Sequence, residues 1–97
     1  MTSALEQLEK WYLARCDGLW EHAYGIKIDT LDNPGWRVHI NLNETRKDGA
    51  TLETVRINRS DRDWILYWIA ENQFQIACGP GNLSEAIPWF IQWFESN

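Results

Sequence analysis

The sequence predicts an α+β fold: an antiparallel sheet of about five strands, with one helix before it and one after it. Three observations carry the prediction. Apolar residues recur at helical spacing only near the two ends of the chain, they alternate with period two in the segments between, and short turn signals separate those segments. Helices confined to the chain ends around consecutive hairpin strands are the pattern of a sheet with helices packed on it, not of alternating βαβ units. Ninety-seven residues suffice for one hydrophobic core, so residues 1–97 read as a single domain.

The first helix is expected from Ser3 to Cys16. Ser3 and Glu6 have the spacing of a capping box, and Leu5, Leu8, Tyr12 and Cys16 follow at helical intervals. Asp17-Gly18 ends it, because glycine accepts the left-handed conformation common past helix ends. The stretch Trp20-Glu21-His22-Ala23-Tyr24-Gly25 then reads as a corner leading into a hairpin.

From Tyr24 the period is two. Tyr24, Ile26, Ile28 and Thr30 share one face, and after the turn signal Asp32-Asn33-Pro34-Gly35 so do Trp36, Val38, Ile40 and Leu42. For both apolar sets to share a face, paired residue numbers must sum to an even number. The simplest register leaves Asn33, Pro34 and Gly35 unpaired, sets Ile28 opposite Ile40, and sets Asp29 opposite His39, where the carboxylate would favour the imidazolium form.

Asn43 to Ala50 is polar and reads as a loop, and Thr51 to Asn58 as a third strand with Val55 and Ile57 inward. The fourth strand, Asp63 to Glu71, is apolar on both faces: Trp64, Leu66, Trp68 and Ala70 on one, Ile65, Tyr67 and Ile69 on the other. Such a strand is expected at the centre, covered twice, or covered once with its second face kept for a partner. Glu71-Asn72 is a tight turn, and Phe74, Ile76 and Cys78 mark the fifth strand.

Asn82 with Glu85 is a second capping signature, and Leu83, Ile87, Phe90, Ile91 and Phe94 continue at helical spacing. Pro88 leaves two forms open, one bent helix or a short turn followed by the main helix. The seven Trp, three Tyr and three Phe supply so much of the available apolar area that most of the tryptophans are expected inside.

A net charge of −5 with scattered basic residues disfavours nucleic acid and suits steered docking onto a basic protein. Two cysteines are too few for a disulfide framework, no secretory leader is evident, and the longest apolar run, Trp64 to Ala70, cannot span a membrane. A cytoplasmic protein with no membrane partner is the expectation.

The residue types available for catalysis lack the spacing it needs. Glu21 and His22 are neighbours, which in an extended segment point to opposite sides, so His22 is read as anchoring the corner or lining a partner-facing rim. Cys16, His22, His39 and Cys78 have no CxxC or HxxxH spacing, so no metal site is expected. A Cys16 nucleophile activated by His22 would lack an orienting third group and an oxyanion site. Gly79 to Asn82 lacks the lysine and spacing of a phosphate loop, and Arg56, Arg59 and Arg62, interleaved with Asp61 and Asp63, read as a self-paired rim. No catalytic residue and no cofactor are assigned. An enzyme using Cys16 and His22, or a small-ligand or scaffold module, remains the alternative to a binding protein.

The segment WYLARCDGLWEHAYGIKIDTLDNPGW, with Trp11, Tyr12, Cys16, Gly18, Trp20, Glu21, His22, Tyr24, Gly25 and Thr30 to Trp36, resembles the immunity protein 53 family. Arg59, Asp63-Trp64 and Asn82-Leu83 match more loosely. The resemblance implies an antitoxin of a bacterial polymorphic toxin system, which binds and blocks a cognate protein toxin without catalysis. It transfers no interface residues. From the residues themselves the candidates for partner contact are Glu21, Asp29 and Asp32 near the first hairpin, His39 beside them, and Tyr67 on the second face of the fourth strand. Oligomeric state is not readable.

Overall fold

The computed structural model describes residues 3–96 and bears out the α+β expectation. Helix α1, Ala4–Arg15, starts at the expected box: the Ser3 hydroxyl accepts from the Glu6 N–H while the Glu6 carboxylate accepts from the Ser3 N–H. A single helical turn, α2 (Trp20–Ala23), forms the corner. Five strands follow, β1 (Ile26–Leu31), β2 (Gly35–Asn41), β3 (Val55–Ser60), β4 (Asp63–Ala70) and β5 (Gln73–Cys78), and α3 (Leu83–Glu95) closes the chain. The strands form one antiparallel sheet in the order β1-β2-β5-β4-β3. The central strand is therefore β5, with β4 beside it. Among the described residues no helix is long and apolar enough to cross a membrane.

The first hairpin keeps the expected parity but slides by two residues. Leu31 pairs with Gly35, Ile28 with Val38, Asp29 with Arg37, and Lys27 with His39. Asp29 therefore does not face His39. The cause lies in Gly35, which is spent on close approach to β5 rather than on the turn. A Cβ there would fall 2.3 Å from the carbonyl oxygen of Cys78, so only glycine fits this rung. The third strand starts at Val55 instead of Thr51 and continues to Ser60, with a register shift between Asn58 and Ser60. The β4–β5 turn has positive φ at both Glu71 and Asn72, as a two-residue hairpin requires.

The two faces of the sheet differ. One carries Val38, Ile40, Ile65, Phe74, Ile76 and Cys78, all buried, and is covered by α3. Phe90 packs edge-on against Phe74 at 5.0 Å between ring centroids, and Trp89 stacks over Tyr67 at 6.1 Å. Helix α1 lies on α3, with Trp11 set edge-on to Phe90 and Phe94 at 5.1 and 5.3 Å. Pro88 sits within one continuous α3, which settles the form the sequence left open; the lost N–H costs the helix one hydrogen bond.

Two expectations need correction. Tyr67 is on the helix-covered face, not on a free second face: it pairs with Ile76 across the ladder and stacks on Phe74 at 5.6 Å. Of the seven tryptophans only Trp11 and Trp20 are buried; Trp36, Trp64, Trp68 and Trp93 are half-buried and Trp89 is exposed. A sheet covered on one face has too little interior for seven indoles.

Candidate functional site

The corner around Glu21 and His22 is built by Asp17 and Glu21. Asp17 accepts from the N–H groups of Leu19 and Trp20, both at 2.9 Å, and so holds the chain at the start of α2. The Glu21 carboxylate turns back to accept from Asp17 N–H at 3.0 Å and Gly18 N–H at 2.9 Å. Its own backbone N–H, with those of Gly18 and Asp17, holds Glu21 below the usual carboxylate range. Trp20 donates from Nε1 to the Asn43 carbonyl at 2.8 Å and ties the corner to the loop after β2. The anchor is thus Glu21, and His22 stands exposed on the same helical turn. Cys16 donates its Sγ–H to the Tyr12 carbonyl at 3.3 Å, while Cys78 is buried in β5, where burial pushes its thiol up to about 11. Among the described residues no three His, Cys, Asp or Glu side chains gather closely enough to hold a metal ion.

A second polar cluster fixes α3 to the β3–β4 hairpin. Arg59 bridges Asp63 at 2.7 Å and Glu85 at 2.6 Å, and Asn82 donates to Asp63 at 2.9 Å while accepting from the Trp64 N–H at 3.3 Å. Arg59 draws Asp63 and Glu85 below their ordinary values, aided at Asp63 by Asn82. The Asn82 side chain therefore serves β4 and does not cap its own helix. The self-pairing expected of the arginine rim holds at Arg59 and Asp63, and Arg59 also reaches Glu85, a partner 26 residues away that local spacing does not reveal. These residues hold structure; their polar groups are spent on one another.

On the face of the sheet turned away from the helices Gln75 donates to the Ala70 carbonyl and Asn41 accepts from the Gly25 N–H, while Lys27, Asp29 and Arg56 enter no ion pair among the described residues. Reading across the strands, one row runs Lys27, His39, Gln75, Trp68, and the next runs Asp29, Arg37, Ala77, Leu66, Arg56. Beyond them Trp64 lies over Gly35, its Cζ2 3.4 Å from where a Cβ would stand. Ile57, Tyr67 and Ile69 pack on the core from the covered side, whereas Trp64, Leu66 and Trp68 do not. They form a half-buried apolar strip, continued by Ala77, flanked by Arg37 on β2 and Arg56 on β3, about 14 Å apart at three strand spacings. The ion pairs among the described residues both belong to Arg59, so Lys27, Arg37 and Arg56 are not neutralised, and Asp29 is the acidic residue among these rungs. Arg37 donates from Nε to His39 Nε2 at 3.1 Å.

Of the five residues the sequence singled out, Asp29 and His39 lie on this open face, and exposed Asp32 sits in the turn at its edge. Glu21 is committed to backbone N–H groups, and Tyr67 lies under Trp89. The same face also carries Trp64, Leu66, Trp68, Arg37 and Arg56, which the sequence did not single out as candidates; for the three apolar residues the signal was the two-sided pattern of β4, attached to the wrong one of its two sets.

No curated protein and no solved structure matches the chain. The profile of the immunity protein 53 family matches residues 5–95, and the residues that carried the resemblance build the corner at Asp17–Glu21 and the Arg59–Asp63–Asn82 cluster. The chain belongs to the immunity protein 53 family.

Proposed function

We propose that this immunity protein neutralises a cognate toxin domain by occluding it with the open face of the sheet, without catalysis. The observation that carries this reading is the strip Trp64-Leu66-Trp68, half-buried yet outside the core, on the face no helix covers. Large apolar side chains on a face without cover are what a protein interface uses as anchors, with polar residues at the rim. Asp29, Asp32 and His39 border the strip on the β1–β2 side; Glu21 and Tyr67 take no part.

The charges of this face refine the expected partner. The chain as a whole is acidic, at −5, but the strip is flanked by Arg37 and Arg56 with Lys27 beyond. Surfaces dock with complementary potentials, so the toxin surface that meets this face is apolar at its centre with carboxylates at its margin. Asp29 is the acidic side chain among these rungs; most of the others sit in the loops, the corner and the helices.

The test is co-expression with the toxin encoded beside this chain's gene. The wild-type protein co-purifies with the toxin at near-equal molar amounts and abolishes its activity. Trp64→Ala with Trp68→Ala loses both while keeping its circular dichroism spectrum. Full protection by that double variant would remove the open face as the binding site. The enzyme alternative is tested beside it, because protection by Cys16→Ala with His22→Ala at wild-type strength dismisses catalysis through those groups.

A further inference from the structure

We infer that strand β1 is a self-pairing edge, on which a second copy of this chain adds its own β1 antiparallel about a twofold axis at Ile28. The inference does not depend on the toxin. β1 ends the sheet, and its residues 27–30 are exposed, with Ile28 39% exposed although its side chain is on the covered face. Its hydrogen-bonding direction follows from two contacts. Asn41 N–H donates to the Gly25 carbonyl, so the odd-numbered residues of β1 bond to β2. Leu42 N–H donates to the Asn72 carbonyl, so the even-numbered residues of β2 turn to β5 instead, which agrees. The N–H and C=O groups of Ile26, Ile28 and Thr30 therefore point off the sheet. The segment has no proline and no register shift, unlike the opposite edge β3, where the ladder slips between Asn58 and Ser60.

Charge selects the occupant and the register. Outward-pointing residues must meet outward-pointing residues, which allows pairings whose residue numbers sum to an even value. At a sum of 54 Lys27 would face Lys27 of the second copy, and at 58 Asp29 would face Asp29. At 56 Lys27 faces Asp29 and Asp29 faces Lys27, Ile28 meets Ile28, and Ile26 meets Thr30. The run Lys27-Ile28-Asp29 is thus complementary to itself in one register and repelled in its two neighbours. Lys27 also gains a carboxylate there, since within its own chain it faces His39. About six backbone hydrogen bonds and the exposed Ile28 side chains complete the seam. A seam of six residues, about 20 Å long, is at the small end of protein interfaces, so the dimer is a weak one.

Sedimentation equilibrium on the full chain from about 10 μM to about 1 mM tests this. The wild-type protein dimerises within that range. Lys27→Asp and Asp29→Lys each weaken the dimer at least about tenfold, because two attractive cross-strand pairs become repulsive. The double variant carrying both substitutions dimerises again. So does an equimolar mixture of the two single variants, as a heterodimer. Circular dichroism reports the fold of each chain, and the mixture separates a broken seam from a damaged protein, since it restores pairing without changing either variant. A monomer throughout the range, a single variant that dimerises like wild type, or a mixture that stays monomeric overturns the inference.

Discussion

Trp68→Ala separates the open face from the core. Trp→Ala in a well-packed interior costs about 3–5 kcal/mol. Trp68 is half-buried, lies outside the core cluster, and pairs across β5 with Gln75 rather than with an apolar residue. With part of its ring already in water, and only neighbouring strand residues to lose, the expected cost is about 1–2 kcal/mol, or roughly 5–15 °C in melting temperature for a chain of this size. Binding behaves the other way. If a partner covers the remaining area of Trp64, Leu66 and Trp68, about 50 Å² each, the gain is about 4 kcal/mol, concentrated at the largest rings. Trp68→Ala is therefore expected to weaken toxin binding by about 2 kcal/mol, some thirtyfold. Urea denaturation gives the first quantity and calorimetric titration with the toxin the second. Phe74→Ala is the internal standard, since Phe74 is 0% exposed on the covered face and its loss should cost about 3–5 kcal/mol. A Trp68→Ala variant as unstable as Phe74→Ala, or one that binds within twofold of wild type, refutes the division of the sheet into a structural and a working face.

Trp11→Phe is expected to cost under about 1 kcal/mol in urea denaturation, although Trp11 is 7% exposed, because its Nε1–H is buried without a partner among the described residues and its removal offsets the lost ring. Asp17, Glu21, Asp48, Asp63 and Glu85 are all held below their ordinary values of 3.8 for Asp and 4.5 for Glu. The folded chain thus binds fewer protons than the unfolded one near pH 4. Stability is full above those ordinary values and falls as acid protonates the folded carboxylates; Asp63→Asn should flatten that acid slope, read by denaturation as the pH is lowered below about 4.5. Cys78, buried and pushed up to about 11, should resist a thiol reagent at pH 8 until the protein unfolds, while half-buried Cys16 reacts first; equal rates in the native protein would contradict the burial of β5.

What the sequence disclosed and what it withheld divide along one physical line. Local signals were legible: the Ser3–Glu6 box, the Glu71-Asn72 turn and the alternation of each strand depend on residues close in the chain. Placements set by distant neighbours were not. The hairpin register turned on Gly35, whose lack of a side chain answers to Cys78, 43 positions later in numbering. Glu85 closes on Arg59 across the sheet, and Asn82 leaves its expected capping role for the Trp64 backbone. The faces of β4 could be sorted into two sets by parity, but which set met the helices depended on how α3 returned over the sheet.

The acidic composition and the cationic strip are reconciled by where each charge is spent. Acidic side chains do the internal work of this fold: Asp17 and Glu21 hold the corner, Asp48 accepts from Glu44 N–H and Asn72 across the loop after β2, and Asp63 and Glu85 hold Arg59. Several basic residues are likewise occupied, Arg15 over Trp11, Lys47 over Trp93, and Arg46 against the Phe94 carbonyl and ring. Once those are set aside, Lys27, Arg37 and Arg56 stand out on one face, beside the tryptophans the core did not take. Net charge therefore misreports the proposed contact surface, because a count weighs a carboxylate spent in a hydrogen-bond cluster equally with a guanidinium open to a partner. Pairing at β1 would place two such faces on the same side of one continuous sheet, since residues directly opposite in an antiparallel ladder point the same way. A toxin bound to one copy would then meet the Lys27 edge of the next. A dimer that binds two toxins with unchanged affinity would show the seam and the strip to be independent.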